Sequence, residues 1–206
     1  MTYVFLVFTA IISIWAFNNQ DVFTKLMLNP YQVYNHKEYY RVFSHGFIHS
    51  DWMHLIVNMF VLYSFGTALE QIFDSLASEG LMQFPHLWYT GLYLIGIILS
   101  SSTTIYKHRN NSLYNCVGAS GAVSAVLFCT IFFAPMQKLG IYFVIPMPGI
   151  IFGILYLGYS QYMSRKNIDN INHDAHFLGA LFGFLFPLII NYHWFYDIFI
   201  YQLFNH

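Results

Sequence analysis

Four residues stand out in a chain made mostly of apolar side chains: Ser120 in Gly118-Ala119-Ser120-Gly121, His176 in Ala175-His176-Phe177-Leu178-Gly179, and His54 with Asn58 in His54-Leu55-Ile56-Val57-Asn58. Hydrogen-bonding groups are costly inside a bilayer, so polar residues within apolar spans mark a site by default. Serine and histidine are the two parts of a nucleophile–base pair, which needs a hydrogen bond of about 2.6–3.2 Å between heavy atoms. His54 and Asn58 lie four residues apart and share a helical face. Both offer donors of the kind that stabilise an oxyanion, together with the backbone N–H of Ser120. The chemistry open to such a set is acyl transfer to a serine, that is, peptide hydrolysis within a membrane.

Each of these residues also has a plainer use. A serine among small residues suits helix packing in membranes. A histidine can bond a backbone carbonyl, and a polar pair can anchor the start of a helix. The sequence Gly118-x-Ser120-Gly121 is not the G-x-S-x-G elbow of soluble hydrolases, and the strand that elbow needs is absent. Ten histidines invite a metal site, with His45, His49 and His54 in one group and His173, Asp174 and His176 in another. The chain has no H-E-x-x-H and no thiolate pair at ligand spacing. Neither a metal nor another cofactor is therefore expected, and His45 and His49 are assigned to organising the loop before the second span.

The elements that must position these residues are membrane helices. The 206 residues are 57% hydrophobic and 8% charged, against about 25% charged in soluble domains, so an all-α polytopic membrane protein is the class that fits. A net charge of −1 gives no case for nucleic acid. Six spans are expected, at 2–17, 52–69, 86–103, 115–134, 140–162 and 171–190, forming one domain with no separate soluble unit. The first is read as a retained span, since no basic n-region or cleavage site accompanies it. Pro146 and Pro148 interrupt the fifth stretch, so its helix is expected to begin near Gly149. Residues 18–51 form a long aromatic-rich connection expected to fold at the interface, and residues 165–170 form a polar one. The tail, 192–206, is expected along the surface. Cys116 and Cys129, 13 residues apart in one expected helix, would be about 20 Å apart and unable to bridge.

Spans two, four and six enter from the same face. Counted from the span starts, Asn58, Ser120 and His176 fall at a common depth of about 8 Å. Small residues line the histidine's face at Ala175, Gly179 and Gly183, and a matching stripe runs through Ser120, Gly121, Ser124 and Ala125. Two such stripes allow the close helix approach that a serine–histidine bond demands.

Taken in order, the motifs resemble those of the rhomboid family of intramembrane serine proteases. Glu38-Tyr39-Tyr40-Arg41 is similar to that family's tryptophan–arginine motif, with Tyr40 in place of tryptophan. His49 and His54-Leu55-Ile56-Val57-Asn58-Met59 resemble its histidine-rich start of helix two, and Phe65-Gly66 through Glu70 the end of that helix. The motifs around Ser120 and His176 resemble those of its nucleophile and base. The resemblance implies a six-helix bundle and a Ser120–His176 dyad without a third acid. It also implies an oxyanion site of His54, Asn58 and the Ser120 N–H, and single-span membrane proteins as substrates, admitted beside a short fifth helix. It implies a multi-pass protein in a lipid bilayer, assigned here to a bacterial inner membrane; the oligomeric state is left open. The alternative is a catalytically silent relative that binds or escorts membrane clients, and such relatives typically lack the serine or the histidine. A transporter is disfavoured, because only the fifth stretch is interrupted and no matched halves are seen.

Two departures accompany the resemblance. Family members often carry an aromatic residue four positions after the nucleophile, beneath the histidine ring. Here that position is Ser124, so the ring must be positioned from elsewhere, for instance through a hydroxyl contact. The second concerns orientation. Seven of the eight Lys and Arg residues fall in odd-numbered connections, which by the positive-inside rule puts the site-bearing face in the cytoplasm. The resemblance implies the opposite face and is given the greater weight.

Overall fold

The computed structural model describes residues 1–141, 145–166 and 171–205. Part of the polar connection expected at 165–170 therefore lies outside the described residues. The chain is predominantly helical. An apolar helix, α1 (Thr2–Phe17), is followed by three short helices, α2 (Gln20–Leu26), α3 (Pro30–His36) and α4 (Arg41–Ser44), the last running into a 3₁₀ turn at His45–Phe47. Then come α5 (Trp52–Ser78), α6 (Pro85–His108) and α7 (Ser120–Phe133). A two-stranded antiparallel hairpin, β1 (Lys138–Ile141) and β2 (Ile145–Pro148), leads into α8 (Gly149–Lys166) and α9 (His173–Ile190). The tail forms a π-helical turn at Phe195–Ile200 and a last short helix, α10 (Tyr201–Phe204).

α7 is the central element. It is apolar nearly all round, and every residue from Gly121 to Phe133 is buried, as suits a helix surrounded by others. α5, α6 and α9 pack around it, and α1 closes the far side of α5. Gly66 lets α1 and α6 meet α5, because a Cβ there would lie 2.5 Å from the Tyr89 hydroxyl and 2.8 Å from Thr2. The Thr2 hydroxyl donates to Tyr89 at 2.9 Å, and the Thr2 N–H donates to Glu70 at 3.1 Å.

The outward faces are apolar as well. Val4, Val7 and Ile11 of α1, Met53 and Ile56 of α5, and Ile154 and Leu155 of α8 all stand more than half exposed. α5 and α9 are each long and apolar enough to cross a bilayer, and α1 and α7 are shorter apolar helices. Monomeric soluble proteins rarely carry contiguous apolar surface on this scale.

Several elements differ from the expectation. α5 runs nine residues beyond position 69, since nothing in the polar stretch through Asp74 breaks a helix. α7 begins at Ser120 rather than 115, because Gly118 adopts φ +124° and residues 116 and 118 bond other loops. α8 begins at Gly149, immediately after the prolines, as expected, while Ile145–Pro148 within the 140–162 span forms a hairpin strand instead. The tail is largely exposed but is pinned to the bundle by two rings. Trp194 and Phe199 are buried, Phe199 stacks on Phe132 of α7 (centroids 5.4 Å, planes 22° apart) and Trp194 meets Phe133 edge-on. Burying two large rings offsets the cost of ordering so short a segment.

Candidate active site

Three loops and three helix starts build the site. In the long first connection, Arg41 is the organising residue: its guanidinium donates to the carbonyls of Thr24 (2.8 Å) and Met27 (2.9 Å) and to Glu38 (2.5 Å). The guanidinium bond holds the Glu38 carboxyl below its ordinary range. This folded loop grips the segment before α7. Leu28 and Cys116 exchange N–H···O bonds of 3.0 Å, Asn29 donates to the Ser112 carbonyl and to Asn115, and Gly118 N–H donates to the His45 carbonyl at 3.0 Å. Gly118 is thereby fixed in a backbone conformation that glycine adopts readily and other residues do not.

That glycine also makes room for His54. A Cβ on Gly118 would lie 2.7 Å from Cε1 and 2.9 Å from Nε2 of the His54 ring. The ring therefore rests directly on the backbone two residues before Ser120. Asp51 starts α5 by accepting the His54 N–H at 2.8 Å, a side-chain N-cap. Ser50 donates to Asp51 at 2.7 Å, which leaves its oxygen to accept the His54 Nδ1–H at 3.0 Å. Asn58 is buried one turn further on and donates one amide hydrogen to the His54 carbonyl at 2.9 Å. An amide carries two such hydrogens, so one donor remains.

α7 and α9 meet backbone to backbone. A Cβ on Gly179 would overlap the Gly121 carbonyl oxygen and lie 3.0 Å from Gly121 Cα; one on Gly183 would lie 2.5 Å from Ala125 Cα. The two stripes of small residues interlock as the sequence predicts. The contact falls one residue after Ser120 and three after His176, so the first turns of α7 and α9 are neighbours. Asn172 holds α9 at this height. Its side chain accepts the Ala175 N–H as an N-cap and donates to Thr104 of α6 at 2.8 Å. Among the described residues no side chain caps α7, and uncapped N–H groups at a helix start favour negative charge.

Of the four residues singled out in the sequence, His54 is brought against the Ser120 segment and His176 onto the adjoining helix turn. Among the described residues, Asn58 shows only a bond within its own helix. The common depth counted from span starts does not hold as counted, since Ser120 is the first residue of α7 and His176 the fourth of α9. The backbone contact at Gly121–Gly179 brings the turns together instead. A polar cavity of about 20 Å³ lies beside Ser120, lined among others by His45, Ser100, Ser101, Gly118 and Asn172, room for about one water. Among the described residues no three His, Cys, Asp or Glu side chains converge as a metal would require.

One neighbour of His176 escaped the sequence reading. Tyr156 of α8 stacks on the His176 ring, with centroids 6.4 Å apart and planes 19° apart, and its hydroxyl is 2.8 Å from Ser124 Oγ. The hydroxyl at position 124 thus contacts a tyrosine from another helix. The clue available was an aromatic residue on the interrupted fifth stretch, with no spacing to tie it to His176.

Residues 36–193, well over half the chain, match the sequence model described as the Rhomboid domain. The chain is 28% identical over 169 residues to RHOMBOID-like protein 12, mitochondrial, of Arabidopsis thaliana, covering 80% of this chain and 50% of that protein. It is 28% identical over 152 residues to Presenilin-associated rhomboid-like protein A, mitochondrial, of Danio rerio (67% and 34%), and 28% identical over 156 residues to Rhomboid protein 1, mitochondrial, of Saccharomyces cerevisiae (71% and 40%). The chain spans half or less of the length of these relatives. Their names are mitochondrial and lend no support to the bacterial inner membrane expected above. The Rhomboid match across the helices that carry the site, joined to the apolar outer faces, gives the assignment: this membrane protein belongs to the rhomboid family.

Proposed function

We propose that the chain is an intramembrane serine endopeptidase in which Ser120 is the nucleophile and His176 the base, with α1 and α5 to α9 as six spans of one bundle. The observation that carries this reading is the backbone contact of α7 and α9 at Gly121–Gly179, which makes neighbours of the turns bearing the two residues. In this mechanism the Ser120 hydroxyl adds to the scissile carbonyl as its proton passes to His176. The proton then goes to the leaving amine, and water, with His176 again as base, hydrolyses the acyl-enzyme. The uncapped first turn of α7 supplies the Ser120 N–H to the oxyanion, with His54 and Asn58 as side-chain donors. For a neutral His54 to donate from Nε2, its ring proton moves from Nδ1 to Nε2 and the Ser50 hydroxyl turns to donate to the freed Nδ1. Substrates are single-span membrane proteins, entering from the lipid beside α8.

The test compares the wild-type chain with Ser120→Ala and His176→Ala, purified in detergent, on a model single-span substrate and on a fluorophosphonate probe. Cleavage and labelling by wild type alone are the expected result. Equal cleavage by Ser120→Ala would exclude this nucleophile. A wild-type chain that binds the substrate yet neither cleaves it nor takes the probe would replace the reading with that of a silent, client-binding relative.

A further inference from the structure

A catalytic base acts only with its ring held in a fixed orientation, and a side chain packed against the ring contributes to holding it. On α7, the residue one turn beyond Ser120 is Ser124, too small to reach under an imidazole. What lies parallel to the His176 ring is Tyr156, from α8. The tyrosine is itself held. Its hydroxyl pairs with Ser124 Oγ at 2.8 Å, and its ring packs on Phe128 of α7 (centroids 5.4 Å) and Phe152 of α8 (5.8 Å). One turn along α8, Tyr159 meets His173 edge-on at 5.7 Å, so α8 sets two rings against the two histidines of the first turn of α9. A hydrogen bond at the tip and rings on its flanks leave Tyr156 few rotamers, which a positioning element requires.

We propose that Tyr156 is the positioning residue for the His176 ring, anchored through its hydrogen bond to Ser124. The inference rests on the protease reading above and adds to it that the base is seated by a side chain of α8, the helix beside which substrates are proposed to enter. Ser124 then has a purpose that a serine lacking its own ring would not otherwise show: it holds the ring supplied by a neighbour. The base is correctly placed only while α8 rests against α7 and α9. Withdrawal of α8 would remove the ring from His176, and its return would seat the base over the admitted chain.

Three variants of the full chain test this: Tyr156→Phe, Tyr156→Leu, and Tyr156→Leu combined with Ser124→Tyr, which offers a ring from α7. The readouts are kcat and KM on a single-span substrate and the His176 ring resonances in detergent. Misplacing a catalytic group by about 1 Å costs on the order of 100-fold, so Tyr156→Leu should lower kcat by about that factor with KM unchanged, and shift the His176 resonances. Tyr156→Phe keeps the ring and loses one hydrogen bond, so its kcat should fall by no more than about tenfold. The double variant should recover kcat over Tyr156→Leu, which filling space alone would not achieve. A Tyr156→Leu chain with wild-type kcat and unmoved His176 resonances would overturn the proposal, and so would a loss confined to KM. Should Tyr156→Leu not fold, Tyr156→Phe and the double variant carry the same comparison. If wild type itself is inactive, the protease reading fails, and the resonances alone then decide whether Tyr156 seats the ring.

Discussion

His54 reports most directly on the chemistry. Its ring lies against Gly118, two residues before the proposed nucleophile, and its N–H is tied to Asp51 at the start of α5. It is partly buried and outside the buried core, so its removal should disturb the fold little. Loss of one oxyanion donor costs about 2.7–4 kcal/mol in transition-state stabilisation. His54→Ala should therefore lower kcat by about 100- to 1,000-fold, with unchanged helical content by circular dichroism. An unaltered rate would remove His54 from the oxyanion site. Asn58→Ala should have a different profile, because Asn58 is buried and bonded to its own helix. Part of any loss there would appear as a lower melting temperature.

The elements owe their arrangement to the smallest residues. Gly179 sits where a Cβ would overlap the Gly121 carbonyl, and Gly121 is pinched in turn by Ser100 of α6. Forcing a methyl group between two backbones cannot be absorbed by a rotamer change, and overpacking of this kind costs about 1–3 kcal/mol or more. Gly179→Ala should lower the melting temperature and, by separating the turns that bear Ser120 and His176, reduce activity by more than the stability loss explains. Gly158 of α8 is the control, since a Cβ there meets nothing within 4 Å. Gly158→Ala should be neutral or stabilising by about 0.4–1 kcal/mol. Equal melting temperatures for the two variants would refute the close-packing account. The stripe of Ala175, Gly179 and Gly183 was legible in the sequence because helical periodicity is local, and so was the start of α8, because proline stops a helix wherever it stands. The true start of α7 was not legible. It depends on Gly118 bonding to His45 and on Leu28 pairing with Cys116, partners more than 70 residues away. Tyr156 was hidden for the same reason: no interval in the sequence relates it to His176. The docking of Trp194 and Phe199 was obscured by the exposed aromatics around them, which read as an interfacial tail.

At the scale of the whole molecule, the first loop, α1 and the site are locked together by buried neutral histidines. His45 is buried beneath the segment that leads to Ser120, and its carbonyl holds Gly118. His49 is wedged against α1: Ser13 donates to the Phe47 carbonyl at 3.0 Å and accepts the His49 Nδ1–H at 2.9 Å. That assignment leaves His49 Nε2 as a bare acceptor, buried and without a hydrogen-bond partner among the described residues, so a second proton there would bring an unpaired charge. Burial pushes His45 down to about 4. Burial, and then the neighbouring His54 ring, push His49 down to about 3 against the pull of Asp51. Unfolded histidines titrate near 6.5. Between that value and about 4 the unfolded chain holds more protons than the folded one, so stability is fully present above pH ~6.5 and is lost as the pH falls. Each histidine contributes a slope approaching ~1.4 kcal/mol per pH unit. Glu38 and Asp51 have lowered values in the folded chain, so their contribution is lost only below about pH 4.3, and the window from pH 6.5 to 5 isolates the histidines. Unfolding of the chain in a single detergent should therefore become steadily easier across that window. His49→Asn can keep a donor to Ser13 and removes one titrating group, so it should flatten the slope by about one proton. A wild-type stability that stayed level from pH 6.5 to 5 would mean that water or a counter-charge reaches both rings, and that the loop is not sealed onto α1.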